Sequence, residues 1–205
     1  MHVYGAECVL QQSHRSYYKI IAAELKNAAD IYPDATIGIS VEFLENLTPQ
    51  NINERMRHLG GTCYAIGVVA AVHPLVSEAV SELLADGKPV CGLISQLFAT
   101  GHDNYVGPDN WKVGRNAAWF IDHACKLPGK IAIPVGNHRY RCQDMNESGF
   151  RSYFREYAPG FTILDPPSTF ESSDVARELV EKLLREVPDL AGIFVAGGGI
   201  TEVVT

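Results

Sequence analysis

The chain has 205 residues, 46% of them hydrophobic and 20% charged, and a formal net charge of −7, the composition of a globular protein able to bury one or two sizeable cores. That charge, with no Lys/Arg run, excludes an extended nucleic-acid footprint on these residues. No apolar run is long enough to span a bilayer, no signal-peptide pattern opens the chain, and the five cysteines are scattered without a Cys-x-x-Cys pair, so a soluble protein of a reducing, cytoplasmic setting is expected, with no membrane partner.

Strand-length apolar runs alternate with helical patterns along the chain. Val3–Leu10 predicts a strand and Tyr17–Ile31 a helix. Ala35–Val41 predicts the next strand, followed by a helix that Thr48 caps and Pro49 opens. Cys63–Ala71, Pro74–Ala85 and Pro89–Ile94 then read as strand, helix and strand. The runs Ala65–Ala71 and Val90–Ile94 are continuously apolar, as strands buried on both faces must be. Ile52, Met56 and Leu59, and again Val76, Val80 and Leu83, form apolar helix faces for the sheet or for a second copy of the chain.

A second series begins with a helix that Asn110 is placed to cap, and its expected buried face is Val113, Ala117, Phe120, Ile121 and Ala124. Lys130–Val135 predicts a strand and Asp144–Tyr157 a helix stopped by Pro159 and Gly160. Phe161–Leu164 predicts a strand, Ser173–Glu186 a helix stopped by Pro188, and Ala191–Val195 a strand. The pattern predicts an α/β protein of two doubly wound parallel-sheet lobes, residues 1–104 and 105–205, divided near Thr100–Asn110. Thr201–Thr205 reads as the first turn of a further helix, which leaves the second lobe incomplete.

The order of three segments carries a family resemblance. Tyr105–Phe120 is a short strand, then Gly-Pro-Asp-Asn, then a helix with Gly114-Arg115 one turn in and Ala117-Ala118 beyond. Ile131–Gly136 followed by Arg139–Phe150 is a strand, a glycine, a polar loop and a helix with Gly149-Phe150. Pro188–Gly199 adds Pro-Asp, a strand and a glycine-rich loop. Together they resemble the lac-repressor and ribose-binding-protein superfamily, the periplasmic binding proteins of type 1. The resemblance implies two lobes with a small solute held in the cleft between them. It also implies that the DNA-binding headpiece of a lac-repressor (LacI) type regulator is absent from these residues.

Ligands of doubly wound sheets sit outside the carboxyl ends of the strands, and that rule selects loops. After the first strand come Gln12, Ser13, His14 and Tyr17, whose polar groups and ring suit a sugar-like solute, although Ser13 or Ser16 serves equally as a helix cap. His73 follows the third strand as a candidate ligand or a local cap, and Ser95 and Gln96 follow the fourth, where relatives often carry an acidic residue. In the second lobe, Asn146 stands where the family often has a cleft arginine, which leaves Arg139 or Arg141 as the substitute to hold a carboxylate or vicinal hydroxyls. The resemblance places Phe170 as a stacking aromatic and Tyr105 as a second one beside the crossing, with plain hinge or core packing open for both. Gly197 lies in a loop whose spacing fits neither the dinucleotide nor the P-loop fingerprint, and lets a ligand approach the backbone.

No nucleophile elbow, metalloprotease motif or acidic cluster is present, so no catalytic residue, metal or cofactor is expected. The resemblance thus implies the effector-sensing core of a LacI-type transcriptional regulator, a homodimer that binds a sugar-like effector and reaches DNA only through its headpiece. The alternative is the solute-binding protein of a transporter.

Overall fold

The computed structural model describes residues 3–101 and 104–198, and the helical turn expected at Thr201–Thr205 lies outside the described residues. The chain forms two compact units, Met1–Gly107 and Pro108–Thr205.

Unit 1 holds β1 (Val3–Gln11), β2 (Thr36–Leu44), β3 (Ala65–Val68), β4 (Val90–Leu93) and β5 (Tyr105–Val106) in one parallel sheet of order β2-β1-β3-β4-β5. Tyr105 and Val106, which the sequence placed at the start of the second lobe, pair with Gly92 and Leu93 and complete the first sheet. The connecting helices are α1 (Ser16–Asp30), α2 (Pro49–Gly60) and α3 (Pro74–Ala85).

Period-2 alternation along β1 sends neighbours to opposite faces. Val9 joins Ile66, Val68 and Val90 against Ile52, Met56 and Leu59 of α2 and Val76, Val80 and Leu83 of α3. Cys8 and Leu10 pack instead with Tyr18 and Ala22 of α1. The two helix faces that could have served a second copy are therefore buried in this core. Thr48 caps α2 as expected, its hydroxyl accepting from the Asn51 N–H, with Pro49 at the first turn.

Unit 2 contains α4 (Asn110–Ala124), β6 (Lys130–Ala132), α5 (Arg141–Tyr157), β7 (Thr162–Ile163), α6 (Ser173–Glu186) and β8 (Leu190–Ile193), with parallel sheet order β7-β6-β8. Pro134 has no N–H to give a ladder, yet its carbonyl accepts from Ala196 at 2.9 Å while Val135 bonds Pro167 and Thr169. The β6 segment so stays engaged to Val135, as far as its sequence predicts.

Two local expectations are corrected here. Asp109 and not Asn110 caps α4, accepting from the Lys112 N–H at 3.2 Å. The face expected to be buried on α4 is only partly so: Ala117 and Ile121 pack against the core, whereas Val113, Ala124 and the 67% exposed Phe120 face outward, and the buried residues are Gly114 and Ala118.

The cause is the α4–α5 contact. A Cβ on Gly114 would fall on the Asn146 carbonyl oxygen, and one on Gly149 would fall on the Trp111 carbonyl oxygen. Two glycines thus bring the helix backbones together and decide which side of α4 turns inward. Arg115 then clasps Glu156 with two nitrogens at 3.1 and 3.0 Å and also donates to Ser152.

Replacing Gly114 by Ala is expected to lower unfolding stability by roughly 3 kcal/mol, the upper end for overpacking, because the obstructing neighbour is backbone. Gly5→Ala, where nothing lies within 4 Å of the added Cβ, should change it by less than about 0.5 kcal/mol. Urea denaturation of both variants is the measurement, and equal midpoints would refute the account of α4.

Candidate functional site

Both sheets reverse their winding beside the first strand of their unit: β1 is flanked by β2 and β3, and β6 by β7 and β8. Crevices open at such switch points, at the carboxyl ends of the strands. A buried glutamine spans each of them.

In unit 1 that glutamine is Gln11, which is 3% exposed. Its amide nitrogen donates to the Val69 carbonyl at 3.3 Å, across the β1–β3 divergence, and its oxygen accepts from the Tyr18 hydroxyl at 3.1 Å. The chain turns sharply after it, because Gln12 sits in the left-handed region at φ 37° with its N–H held by the Leu44 carbonyl. The Gln12 side-chain oxygen is buried without a hydrogen-bond partner.

Ser13 gives both its N–H and its hydroxyl to Glu45, at 2.8 and 2.7 Å, and His14 Nδ1 lies 3.8 Å from the same carboxylate. The two Ser13 hydrogen bonds hold the Glu45 carboxyl below its ordinary range, with a smaller push from His14. Tyr17 follows with its ring 53% exposed and edge-on to Tyr18.

The other strand ends of unit 1 serve the backbone. His73 caps α3, its Nδ1 accepting from the Leu75 N–H at 3.2 Å. Ile94 has φ 66°, and the Ser95 N–H donates to the Leu93 carbonyl at 2.6 Å, which closes a γ-turn of the strained kind. That turn buries Ser95 and leaves Gln96 exposed. β5 holds the turn from outside: Ile94 donates to the Val106 carbonyl, and the Tyr105 hydroxyl donates to the Ile94 carbonyl at 3.0 Å. Tyr105 is thus a brace for the turn, the packing role of the two its sequence position allows.

In unit 2 the switch-point glutamine is Gln143. Its oxygen accepts from the backbone N–H groups of Gly136 and Asn137 at 2.7 and 3.0 Å, and its nitrogen donates to a Glu171 carboxylate oxygen at 2.6 Å. Gly197, a sequence candidate, is small because a Cβ there would fall on the Gln143 amide. Asn146 donates to the Ala196 carbonyl at 3.4 Å, and its own side-chain oxygen is buried without a partner.

Arg141 is engaged by Asp144 at 2.7 Å, whereas the Arg139 side chain is exposed. The helix begins at Arg141, one turn before the expected Asp144, because buried Tyr140 anchors the chain and Gln143 must point inward. Phe170 is 74% exposed at the tip of the loop before α6.

Sequence reasoning missed Glu45, Gln143 and Glu171, and met Gln11 only as one polar residue of the loop after the first strand. Gln11 and Gln143 are polar residues beside strands and offered one usable signal, their place at the divergence of the winding. Glu45 and Glu171 offered none, since their partners lie 32 and 28 residues away.

None of the five cysteines forms a disulfide. Burial, and then Glu7, pushes the Cys8 thiol up to about 11, and burial also raises Cys63 and Cys91. Among the described residues no group of three or more His, Cys, Asp or Glu side chains is placed to hold a metal ion, and no helix is long and apolar enough to cross a membrane.

With this geometry in hand, comparison with known proteins gives the class. Residues 12–205 match the family described as periplasmic binding protein domain, and the chain belongs to that family. No curated protein matches it.

Solved structures share its fold. A solute-binding protein of an ABC transporter from Burkholderia graminis C4D1M, in complex with D-arabinose, is 18% identical with a TM-score of 0.84, over 98% of this chain and 70% of that one. One from Actinobacillus succinogenes 130z with bound D-allose is 21% identical with a TM-score of 0.80, over 98% of this chain and 73% of that one. A third, from Agrobacterium vitis with α-D-tagatopyranose, is 19% identical with a TM-score of 0.80, over 94% of this chain and 67% of that one. These three belong to transporters, whereas the sequence resemblance pointed first to regulators.

The Ser13–Glu45 contact makes a prediction about charge. Glu45 titrates low because its ionised form accepts two hydrogen bonds from Ser13, so Ser13→Ala should move its midpoint upward toward the ordinary value of 4.5. The contact stabilises the fold above the unfolded carboxylate pKa and is lost as pH falls through the lower, folded one. NMR titration of the side-chain carboxyl carbon reads the shift, and an unmoved midpoint would show that the Ser13 hydroxyl is not its cause.

Proposed function

We propose that this chain binds a sugar-like polar solute at the strand-end loops of its units, without turnover, as the solute-binding protein of a transporter. The observation that carries the reading is the location of backbone strain. Among the described residues, the non-glycine positions with positive φ are Gln12, Ile94, Phe170 and Glu171, and all four lie in loops at strand carboxyl ends. Each costs about 1–3 kcal/mol and persists only where its surroundings over-determine it. Strain gathered, among the described residues, on the ligand-bearing edge of doubly wound sheets supports a binding role for that edge.

The side chains there suit such a solute. Tyr17 and Phe170 present exposed rings for the apolar face of a sugar. Gln12 and Asn146 each hold a buried acceptor without a donor at these loops, a deficit of about 1–3 kcal/mol. Arg139 and Gln96 add exposed polar groups, and Gly197 keeps its loop close to the strand ends. The sugars in the three similar transporter proteins support both the solute class and the transporter.

One observation favours a second reading. Five cysteines with no disulfide among them, one thiol pushed up to about 11, suit a reducing compartment. In that reading the chain is the effector-sensing part of a LacI-type regulator, a cytoplasmic homodimer that reaches DNA through a separate headpiece. Solute-dependent DNA binding by the full-length protein supports the regulator, and solute-dependent stimulation of a partner transporter's ATPase supports the transporter.

Calorimetric titration with D-arabinose, D-allose and D-tagatose tests the common core of both readings. Tyr17→Ala and Phe170→Ala are each expected to weaken binding by about 1–3 kcal/mol, the worth of a desolvated ring on a ligand. Unchanged affinity in both variants would place the site elsewhere.

A further inference from the structure

Thr169, Phe170, Glu171 and Ser172 form a turn that their composition should resist. The Ser172 N–H donates to the Thr169 carbonyl at 2.9 Å, and the two central residues have φ of 52° and 60°. Two positive φ values mark a primed turn, a place for Gly, Asn or Asp. Phe and Glu occupy it here, so something outside the turn must hold it.

The holding contact is made by the Glu171 side chain. Glu171 accepts from Gln143 at 2.6 Å, and Gln143 is held in turn by the N–H groups of Gly136 and Asn137. Three glycines wall the pair in: a Cβ on Gly136 would fall on the Glu171 carboxylate, one on Gly197 on the Gln143 amide, and one on Gly198 on the Glu171 carboxylate again. Through Gln143, this amide–carboxylate bond therefore ties together the loops that follow β6 and β7, with the loop that follows β8 packed close against them. Its visible consequence is Phe170, next to the tethered residue and 74% exposed.

We infer that Gln143 and Glu171 are positioning residues that fix the Phe170 ring as a preset platform for the solute. The inference rests on the solute-binding reading above. A platform held in place before binding spares the cost of ordering an exposed aromatic loop, which otherwise subtracts from affinity. Glu171 on this account acts through Phe170.

The test is a double-mutant cycle with a readout that needs no ligand. Glu171→Gly removes the tether while keeping a residue at ease with φ near 60°, and Glu171→Gln keeps an acceptor oxygen for Gln143. In calorimetry with the same three sugars, Glu171→Gly should weaken binding about tenfold in the wild-type background and less than about twofold in Phe170→Ala. Glu171→Gln should restore most of the loss.

In hydrogen exchange without sugar, Glu171→Gly should speed residues 135–140 and 168–173 together, and Phe170→Ala should leave both slow. Equal weakening in the two backgrounds would overturn the positioning role, because Glu171 would then not act through Phe170. Independent exchange of the two segments would overturn the tether. If the segments respond together but no sugar binds the wild-type protein, the solute reading fails, and the role assigned to Phe170 fails with it while the tether stands.

Discussion

A parallel sheet that reverses its winding must leave two neighbouring strand ends diverging, and in both units a single buried glutamine closes that divergence. Gln11 links β1 to the chain leaving β3, and Gln143 links the loops after β6 and β7 under the loop after β8. An amide suits the position because it donates and accepts at once, so it satisfies backbone groups that the parting ladders leave bare. An apolar residue of the same size would abandon those groups at about 1–3 kcal/mol each. The strained loops are anchored to these stitches: Gln12 turns directly after Gln11, and Glu171 hangs from Gln143.

The segments that carry the family resemblance owe their residue types to packing. Gly114 and Gly149 exist so that α4 and α5 can approach with backbone against backbone, and Arg115 clasps Glu156 across the same seam. Phe150 is fully buried and lies flat against Phe194, with ring centroids 4.9 Å apart. A match on Gly-Arg and Gly-Phe therefore identifies a fold, since it records how two helices meet, and it is silent about what the strand ends bind. That is why the sequence could reach the superfamily through these residues and still leave the choice between regulator and transporter protein to other observations.

Much of the fold was legible because it depends on short-range signals. Continuous apolar runs gave β3 and β4, Thr48 with Pro49 gave the start of α2, and proline stops gave the ends of α5 and α6. The errors came where tertiary contact overrides spacing. The apolar stripe of α4 reads as a buried face, but the glycine seam rotates the helix so that Phe120 faces outward. The start of α5 was hidden because Arg141, Cys142 and Gln143 look like loop, and only the inward pull on Tyr140 and Gln143 makes them helical.

The loops at the strand ends were legible by position and much less by role. The winding rule found Gln12, and the family resemblance added Asn146 and Phe170, yet neither could separate residues that face outward from those that brace the chain, because His73, Ser95 and Tyr105 are equally polar or aromatic. Strain separates them. Tyr105 and Ser95 close the γ-turn at Ile94, and Glu171 holds the primed turn that carries Phe170. A left-handed Ile or Phe costs more than the glycine that could stand in its place, so contacts elsewhere must offset the strain. For Ile94 those contacts are internal, since it packs on the core beside α1. For Phe170 the ring stands 74% exposed beside the part-buried Gln143–Glu171 tether, and that contrast with Ile94 is the ground on which a solute platform is proposed there.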